Sequence, residues 1–291
     1  MTGPTVVVTD STACLAKERA AAAGIVVVPL QVVIGADASG EQAPKAYTEG
    51  TPEAQAALMA ALRRRRPATT SRPSPEQFAA CYRGLAEQGA GGIVSVHLSE
   101  QLSATGEAAR LAAKGAPIPV EVVDSRSLGM GLGYAALTAA EAAKAGAGPM
   151  VCADMAAKRA TMTSILFYVD TLEYLRRGGR IGKAQAFVGS ALAVKPLLHL
   201  VDGQVAPLEK VRTAARALAR IEQVALERAG DGPVDIAVHH LNSLPRAELL
   251  AEQLRGRLRG LNELTISEVG AVIGAHAGPG VLGVVIAPRF E

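Results

Sequence analysis

A single histidine stands among glycines near the C-terminal end of the chain. His276 lies in the run Gly-Ala-His-Ala-Gly-Pro-Gly over 274–280, with apolar residues before it at 269–273 and after it at 281–286. Glycine permits backbone angles and close approaches that side chains prevent, and proline fixes its own φ. The pattern predicts a strand, a tight loop that presents His276, and a second strand. A turn whose one polar side chain is a histidine is the alternative.

A hydroxyl-rich segment at 69–75 comes immediately before a predicted helix. Ser74, followed by proline and then by Gln77 at the third helical position, is typical of a capped helix start. That cap does not account for Thr70 and Ser71. We therefore expect these two hydroxyls to face a pocket.

A second polar segment, 97–106, follows a predicted strand at 92–96 and precedes another helix. Ser103 stands where its hydroxyl, together with the amides that follow, is able to bind an anion at a helix N-terminus. A simple helix cap by Ser103 is the alternative interpretation.

Asp10 and Ser11 directly follow the apolar strand run 6–8. In open α/β sheets, ligands are met just beyond the carboxyl ends of the strands, which makes both residues candidates for the pocket. Both are also good helix-capping residues, and this is the interpretation that we favour for them.

A basic turn follows a short predicted helix in the segment 170–183. Two glycines stop the helix, and Arg177 and Arg180 flank them. The segment lacks the glycine and the hydroxyl residue that a phosphate-binding P-loop requires. An exposed basic turn at a rigid helix end suits recognition of an anion or of an acidic partner surface.

Strand and helix patterns alternate along the chain, which predicts two α/β domains. We place the boundary near the Gly/Pro-rich residues 146–149, giving an N-terminal α/β domain, 1–150, and a C-terminal α/β domain, 151–291. Asp202-Gly203 is the one hairpin signal that interrupts this alternation. Residues 25–34 are predicted as one strand.

Composition excludes several classes of protein. The net charge of +3 is too small to indicate nucleic-acid binding, and the arginines at 63–66 are interpreted as the cationic last turn of a helix. Cys14, Cys81 and Cys152 lack metal-ligand spacing and are expected to be reduced, which predicts a cytoplasmic protein without a metal site. Neither a signal peptide nor a stable membrane-inserted segment is predicted.

Several of these segments recur together in a known family. Over nearly its whole length the chain resembles the DegV family, by motifs in matching order and spacing: Thr9-Asp10-Ser11, Thr70-Ser71-x-Pro73-Ser74, Leu98-Ser99-x-x-Leu102-Ser103-x-Thr105, Val123-Asp124-Ser125, Leu172-Glu173-Tyr174-Leu175 with Gly178-Gly179-Arg180-Ile181, Lys195-Pro196, and Gly274-x-His276-x-Gly278-Pro279-Gly280. The resemblance implies two α/β domains, the first with a mainly parallel sheet flanked by helices and the second with a smaller mixed sheet and helices. No single motif is specific, but their combination is.

The resemblance also implies a function. DegV-like proteins of the FakB type bind a long-chain fatty acid and present its carboxylate to a partner fatty acid kinase in bacterial phospholipid synthesis. That kinase, which is related to dihydroxyacetone kinases, uses ATP and magnesium to make an acyl-phosphate; this chain would bind no cofactor. By motif position, Thr70 and Ser103 would hydrogen-bond the carboxylate beside His276. Arg180 would lie on the kinase-docking face, with Arg177 as a weaker candidate.

The chain departs from the family pattern after Ser103. Ala104 stands where glycine is common and Gly106 where an aromatic residue is common, so the Ala104 amide is a candidate donor to the carboxylate. The expected role is that of a carrier rather than of an enzyme. One alternative is a hydrolase that pairs Ser103 with His276 and with Asp10 or Asp124, although the glycine-flanked serine elbow is absent. Another is a regulatory module for a different small carboxylate.

Overall fold

The computed structural model describes residues 3–36, 43–187 and 195–290. The strands within these residues are β1 Thr5–Asp10, β2 Ile25–Val28, β3 Gln31–Ile34, β4 Lys45–Thr48, β5 Ala68–Ser71, β6 Gly92–His97, β7 Val120–Asp124, β8 Ser164–Tyr168, β9 Lys195–Val201, β10 Gln204–Val211, β11 Val234–His240, β12 Leu261–Glu268 and β13 Leu282–Pro288. The α-helices are α1 Lys17–Ala23, α2 Pro52–Arg63, α3 Pro75–Glu87, α4 Thr105–Ala113, α5 Met130–Lys144, α6 Pro149–Met162, α7 Glu173–Arg177, α8 Ala214–Ala229, α9 Leu244–Arg257 and α10 Ala271–Ala277.

These elements form two compact units, each made of two chain segments. One unit comprises Met1–Gln31 and Ser71–Met162, and the other comprises Val32–Thr70 and Thr163–Glu291. The sequence had assigned the whole of 1–150 to one domain, so the grouping of 32–70 with the C-terminal half differs from that division. The reason is tertiary: Glu49 and Gln55 bond to the backbone of the distant residues Val272 and Val269.

The first unit contains a parallel sheet, as predicted. Its strand order among the described residues is β2-β1-β6-β7, and every neighbouring pair is parallel. Because side chains alternate between the faces of a strand, Val7 contributes to one buried cluster and Val8 to the other. Alanines of α5 and α6 form much of the first cluster, and aromatic residues of α3 join the second.

The second unit contains a mixed sheet, again as predicted, in the order β10-β9-β8-β13-β11-β12. Only β11 and β12 pair in parallel among these strands, and the other pairs are antiparallel. Within the described residues this sheet has six strands and the parallel sheet has four, so it is not the smaller one. The predicted hairpin joins β9 to β10, where Asp202 and Gly203 have φ of 50° and 78°.

The predicted strand at 25–34 is in fact two strands in different sheets. β2 pairs with β1, whereas β3 lies between β4 and β5 in a separate three-stranded sheet of the described chain. Pro29 separates them, and proline has no amide hydrogen for a strand ladder. The next residue, Leu30, donates its amide to Ser11 Oγ at 2.9 Å rather than to a strand.

The predicted strand at 269–273 is also wrong, because α10 covers Ala271–Ala277 and places His276 in its last turn. Gly270, at the N-cap, supplies no side-chain cap. Glu49 replaces that cap, since its Oε1 accepts from the Val272 amide at 2.8 Å. A carboxylate at a helix N-terminus satisfies an otherwise unpaired donor, and this one comes from a remote part of the chain.

Among the helices of the described residues, none combines the length and the apolar character needed to cross a membrane.

Candidate functional site

Two of the predicted site residues, Thr70 and His276, are in contact within the second unit. Thr70 Oγ1 lies 2.9 Å from His276 Nε2, although the two residues are 206 positions apart. Thr70 is on β5 and His276 is in the last turn of α10, and both are partly buried. The strand and the helix thus bring together two of the residues that the sequence had singled out.

The other ring nitrogen of His276 has no hydrogen-bond partner among the described residues. Nδ1 is buried and occupies the space that a side chain at position 178 would need. A buried N–H without an acceptor costs about 1–3 kcal/mol, which favours the tautomer with its proton on Nε2. In that tautomer Nε2–H donates to Thr70 Oγ1, so the Thr70 hydroxyl hydrogen is available to a further acceptor.

Burial keeps the imidazole of His276 neutral. Desolvation, together with the smaller effect of the nearby positive charge of Arg180, lowers the pKa of His276 to about 4. A histidine in the last turn of a helix is ordinarily stabilised as a cation by the helix dipole. Here desolvation prevails, so the ring is a neutral donor at physiological pH.

The basic turn that the sequence identified packs against this histidine. Gly178 follows α7 and has no room for a side chain because of the His276 ring. Arg180 is exposed, and its Nη1 donates to the Gly178 carbonyl at 2.7 Å. Arg177 is exposed as well, but its Nε donates to Glu173 Oε1 at 2.6 Å, one helical turn earlier. Arg177 is therefore already ion-paired within its own helix.

The loop that carries Ser103 belongs to the first unit. The Ser103 hydroxyl lies 2.9 Å from that of Thr105, and its amide donates to the Ser99 carbonyl at 3.0 Å. Ser103 is not the helix cap: Ala104 occupies the N-cap position of α4 and makes no side-chain cap bond. The Ala104 carbonyl accepts from Arg72 at 3.4 Å, and in the described chain its amide has no acceptor.

A buried chain of hydrogen bonds in the same unit was not predicted from the sequence. Tyr82 donates to Ser95 Oγ at 2.8 Å, Ser95 Oγ lies 2.7 Å from His97 Nε2, and His97 Nδ1 lies 3.1 Å from Asp10 Oδ2. All four side chains are completely buried. The detectable signal was the alternation of Ser95 and His97 within an otherwise apolar strand, which puts both on one face.

Both carboxylate oxygens of Asp10 accept hydrogen bonds from the backbone, which agrees with the capping interpretation. Its Oδ1 accepts from the amide of Thr12 at 3.0 Å, and its Oδ2 accepts from the amide of Leu98 at 3.0 Å. Ser11 accepts from Leu30, as described above. Ser71 is exposed and donates to the carbonyl of the next residue at 3.3 Å. These three residues therefore bond within the scaffold of their own unit.

Asp124 is engaged in the same way. Its Oδ1 accepts from the amides of Glu100 at 3.3 Å and Arg126 at 2.8 Å, holding the turn after β7.

Nowhere in residues 3–36, 43–187 and 195–290 do three His, Cys, Asp or Glu side chains gather as metal ligands would.

Comparison with known proteins assigns the family. The model of the family described as "Uncharacterised protein, DegV family" matches residues 4–289. The chain belongs to the DegV family. A DegV domain-containing protein of Streptomyces coelicolor is 57% identical over 283 residues, covering 97% of this chain and 98% of the relative. Protein DegV of Bacillus subtilis is 35% identical over 282 residues, covering 96% of this chain and 97% of the relative.

Solved structures of DegV proteins have the same fold. A fatty-acid-binding DegV family protein from Thermus thermophilus superposes with a TM-score of 0.90 at 32% identity, covering 98% of this chain and 100% of that one. DegV of Bacillus subtilis, described as a fatty acid binding protein, superposes with a TM-score of 0.87 at 32% identity, covering 99% and 100%.

This DegV protein has a local reason for glycine at position 106. Gly106 is buried in α4, and a Cβ atom there would come within 2.6 Å of Glu100 Oε1. Glu100 is ion-paired with Arg110, on the same helix. A side chain at position 106 would therefore have to displace the carboxylate of Glu100 from its place beside α4.

Proposed function

We propose that this DegV protein binds a long-chain fatty acid and holds its carboxylate through the hydroxyl of Thr70. The observation that carries the proposal is the bond of Thr70 Oγ1 to a partly buried, neutral His276. Because Nε2–H of His276 donates to Thr70, the threonine hydroxyl must direct its own hydrogen to another acceptor. A carboxylate oxygen is the strongest ordinary acceptor for such a donor.

Ser103 is proposed as the second hydroxyl donor to the carboxylate, with the Ala104 amide beside it. Ser103 and Thr105 share one hydrogen bond, and when Thr105 is its donor the Ser103 hydrogen is available to a ligand. The Ala104 amide precedes α4 and has no acceptor in the described chain. A buried carboxylate needs several such donors, because otherwise it takes up a proton.

Burial of the acyl chain supplies most of the affinity in this proposal. A chain of about 16 carbons, at roughly 0.8 kcal/mol per buried methylene, provides on the order of 12 kcal/mol before the costs of association. Each charge-assisted hydrogen bond adds on the order of 1.5–3 kcal/mol. The polar residues therefore orient the carboxylate, and an apolar tunnel provides the binding energy. Support comes from the Thermus thermophilus and Bacillus subtilis relatives, both described as binding fatty acids.

Presentation of the carboxylate to a kinase is the further part of the proposal. As in the FakB type, the partner would be a fatty acid kinase related to dihydroxyacetone kinases, working with ATP and magnesium in the cytoplasm. We propose Arg180 as the main docking residue because it is exposed and lies on the turn that contacts His276. Arg177 is the lesser contributor, because Glu173 already neutralises it.

The hydrogen bonds of the described residues favour the fatty acid proposal over the hydrolase alternative. Ser103 bonds to Thr105, His276 bonds to Thr70, and the carboxylates of Asp10 and Asp124 accept from backbone amides. A serine–histidine–aspartate chain does occur, but it is made of Ser95, His97 and Asp10. Since all three are completely buried, Ser95 is not accessible to a substrate.

The ligand is tested by denaturing mass spectrometry of a lipid extract from freshly purified protein. Wild type should carry one long-chain fatty acid per chain, and Thr70→Ala/Ser103→Ala should carry much less. Thr69→Ala/Thr161→Ala is the matched control, because both hydroxyls are exposed and Thr161 bonds to its own helix. If the purified wild type contains no fatty acid, does not take up oleate and binds a short carboxylate, that carboxylate is the ligand and the fatty acid proposal is wrong.

The kinase part is tested separately with loaded protein, purified kinase and ATP. Arg180→Glu should retain its fatty acid and lose most of the acyl-phosphate formation, whereas Arg177→Glu should lose less. Equal phosphorylation of Arg180→Glu and wild type would show that this turn is not the docking surface, and it would leave fatty acid binding standing.

A further inference from the structure

A basic depression lies on the second unit, between the end of β10 and the first turns of α8. It has a volume of about 430 Å³ and is lined by Glu209, Lys210, Val211, Arg212, Arg216, Ala219, Arg220 and Gln223. Four of these side chains are cations and one is an anion. The depression shares no residue with the proposed carboxylate site, and it is in the size range of small-molecule sites.

The acidic groups at this depression are already neutralised by a single arginine. Arg220 Nε donates to Glu209 Oε2 at 2.7 Å, and Arg220 Nη1 lies 3.7 Å from Glu227 Oε1. Gln223 also donates to Glu227, at 2.9 Å. The carboxylates therefore do not reach the other cations of the depression.

Three cations are left without a carboxylate partner in the described chain. Arg212 and Arg216 are exposed and make no side-chain hydrogen bond or ion pair there. Lys210 contacts an aromatic ring, with Nζ 4.6 Å from the centroid of Phe187. Guanidinium groups keep their charge and offer forked donors that match phosphate and carboxylate oxygens. Like charges held close together repel, and a multivalent anion relieves that repulsion.

We propose that this depression binds a small anion with two or more phosphate or carboxylate groups. Arg212 and Arg216 would hold separate groups of the anion through bidentate hydrogen bonds, and Lys210 would supply a third positive charge. A multivalent ligand is favoured over a single phosphate because the three unpaired cations are on different residues around one concave surface.

The backbone positions of these arginines make the proposal testable without loss of the fold. Thr213 caps α8 by accepting from the Arg216 backbone amide at 3.3 Å, so substitution of the Arg216 side chain leaves the cap intact. Arg212 precedes that cap and is exposed. Arg212→Gln/Arg216→Gln should therefore melt within a few degrees of wild type.

The experiment is titration calorimetry of the full chain with inorganic pyrophosphate in one arm and citrate in the other, at low salt. Arg212→Gln/Arg216→Gln should weaken binding by about tenfold or more, and the wild-type affinity should fall as salt rises. Glu209→Gln removes the lining carboxylate and should tighten binding. A preference for one arm identifies phosphate or carboxylate as the recognised group.

The matched control is Arg63→Gln/Arg64→Gln, which removes two exposed arginines of the same unit outside the depression. It should bind pyrophosphate or citrate as wild type does. Absence of saturable binding of both anions to wild type, or equal weakening in the control and in the depression variant, would overturn the proposal. The fatty acid content of Arg212→Gln/Arg216→Gln should equal that of wild type, which separates this site from the proposed function.

Discussion

The Cα atom of Gly178 lies against the imidazole of His276, and this contact joins the basic turn after α7 to the end of α10. A side chain at position 178 would overlap His276 Nδ1. Gly178 itself has an ordinary helical conformation, with φ of −73°, so the backbone does not require glycine there. The requirement is steric, and it comes from a histidine almost a hundred residues further along the chain.

Gly178→Ala should reduce fatty acid binding while the protein stays folded. The added methyl group pushes the His276 ring away from Thr70, and overpacking of this kind typically costs about 1–3 kcal/mol. The measurement is the fatty acid content of the purified variant, together with its melting temperature. Gly84→Ala is the control, because Gly84 lies within α3, an added Cβ atom there would have nothing within 4 Å, and alanine is the better helix former. Wild-type lipid content in Gly178→Ala would contradict the steric role.

The protein should lose stability as the pH falls from about 6.5 to about 4. Burial depresses the pKa of His276 to about 4, so between these values the unfolded chain binds a proton that the folded chain excludes. The stability from His276 is complete above pH 6.5 and on the order of 2–3 kcal/mol is lost by pH 4. Burial also lowers the pKa of His239 to about 4. His239 therefore adds a further loss of stability over the same pH range. Urea unfolding at several pH values checks this, and His276→Gln should show a visibly smaller slope.

Asp10→Asn should destabilise the protein by about 2–4 kcal/mol, because an amide group would replace a buried acceptor surrounded by donors. Asp10 accepts from Thr12, from the Leu98 amide and from His97. Chemical denaturation measures the loss. Asp154→Asn, on the exposed face of α6, should change stability by about 0.5 kcal/mol or less. Similar values for the two variants would mean that the buried chain contributes little.

Glu49→Ala should loosen α10 and, through it, weaken the hold of His276 on Thr70. The variant loses the acceptor of the Val272 amide, and such a cap is typically worth about 1 kcal/mol. Hydrogen exchange of the α10 amides should become faster, and fatty acid content should fall. Glu49→Gln keeps an acceptor oxygen and should lie between Ala and wild type. Unchanged exchange in Glu49→Ala would exclude this role for the carboxylate.

Features controlled by neighbouring residues could be predicted from the sequence. The capping box of Ser74 and Gln77 and the Asp202-Gly203 hairpin appear as expected, since their hydrogen bonds and φ angles involve residues within a few positions. The alternation of apolar strands with helices indicated the α/β class, and the family resemblance implied the parallel and the mixed sheet. Motif position singled out Thr70 and His276, which lie in hydrogen-bond contact, and their role in binding stays a prediction.

Only the tertiary structure decided how those residues are held. Residues 269–273 were predicted as a strand because they are apolar, yet helix α10 begins at Ala271. Its N-terminal end is capped by Glu49, which bonds to Val272 from 223 positions away. His97 meets Asp10 across 87 positions, and Thr70 meets His276 across 206. The energy of such bonds depends on burial and on partners that fold into reach. Local sequence determines secondary-structure propensity and helix capping. The neutral state and the hydrogen bond of His276 depend instead on the residues that surround it in the folded protein.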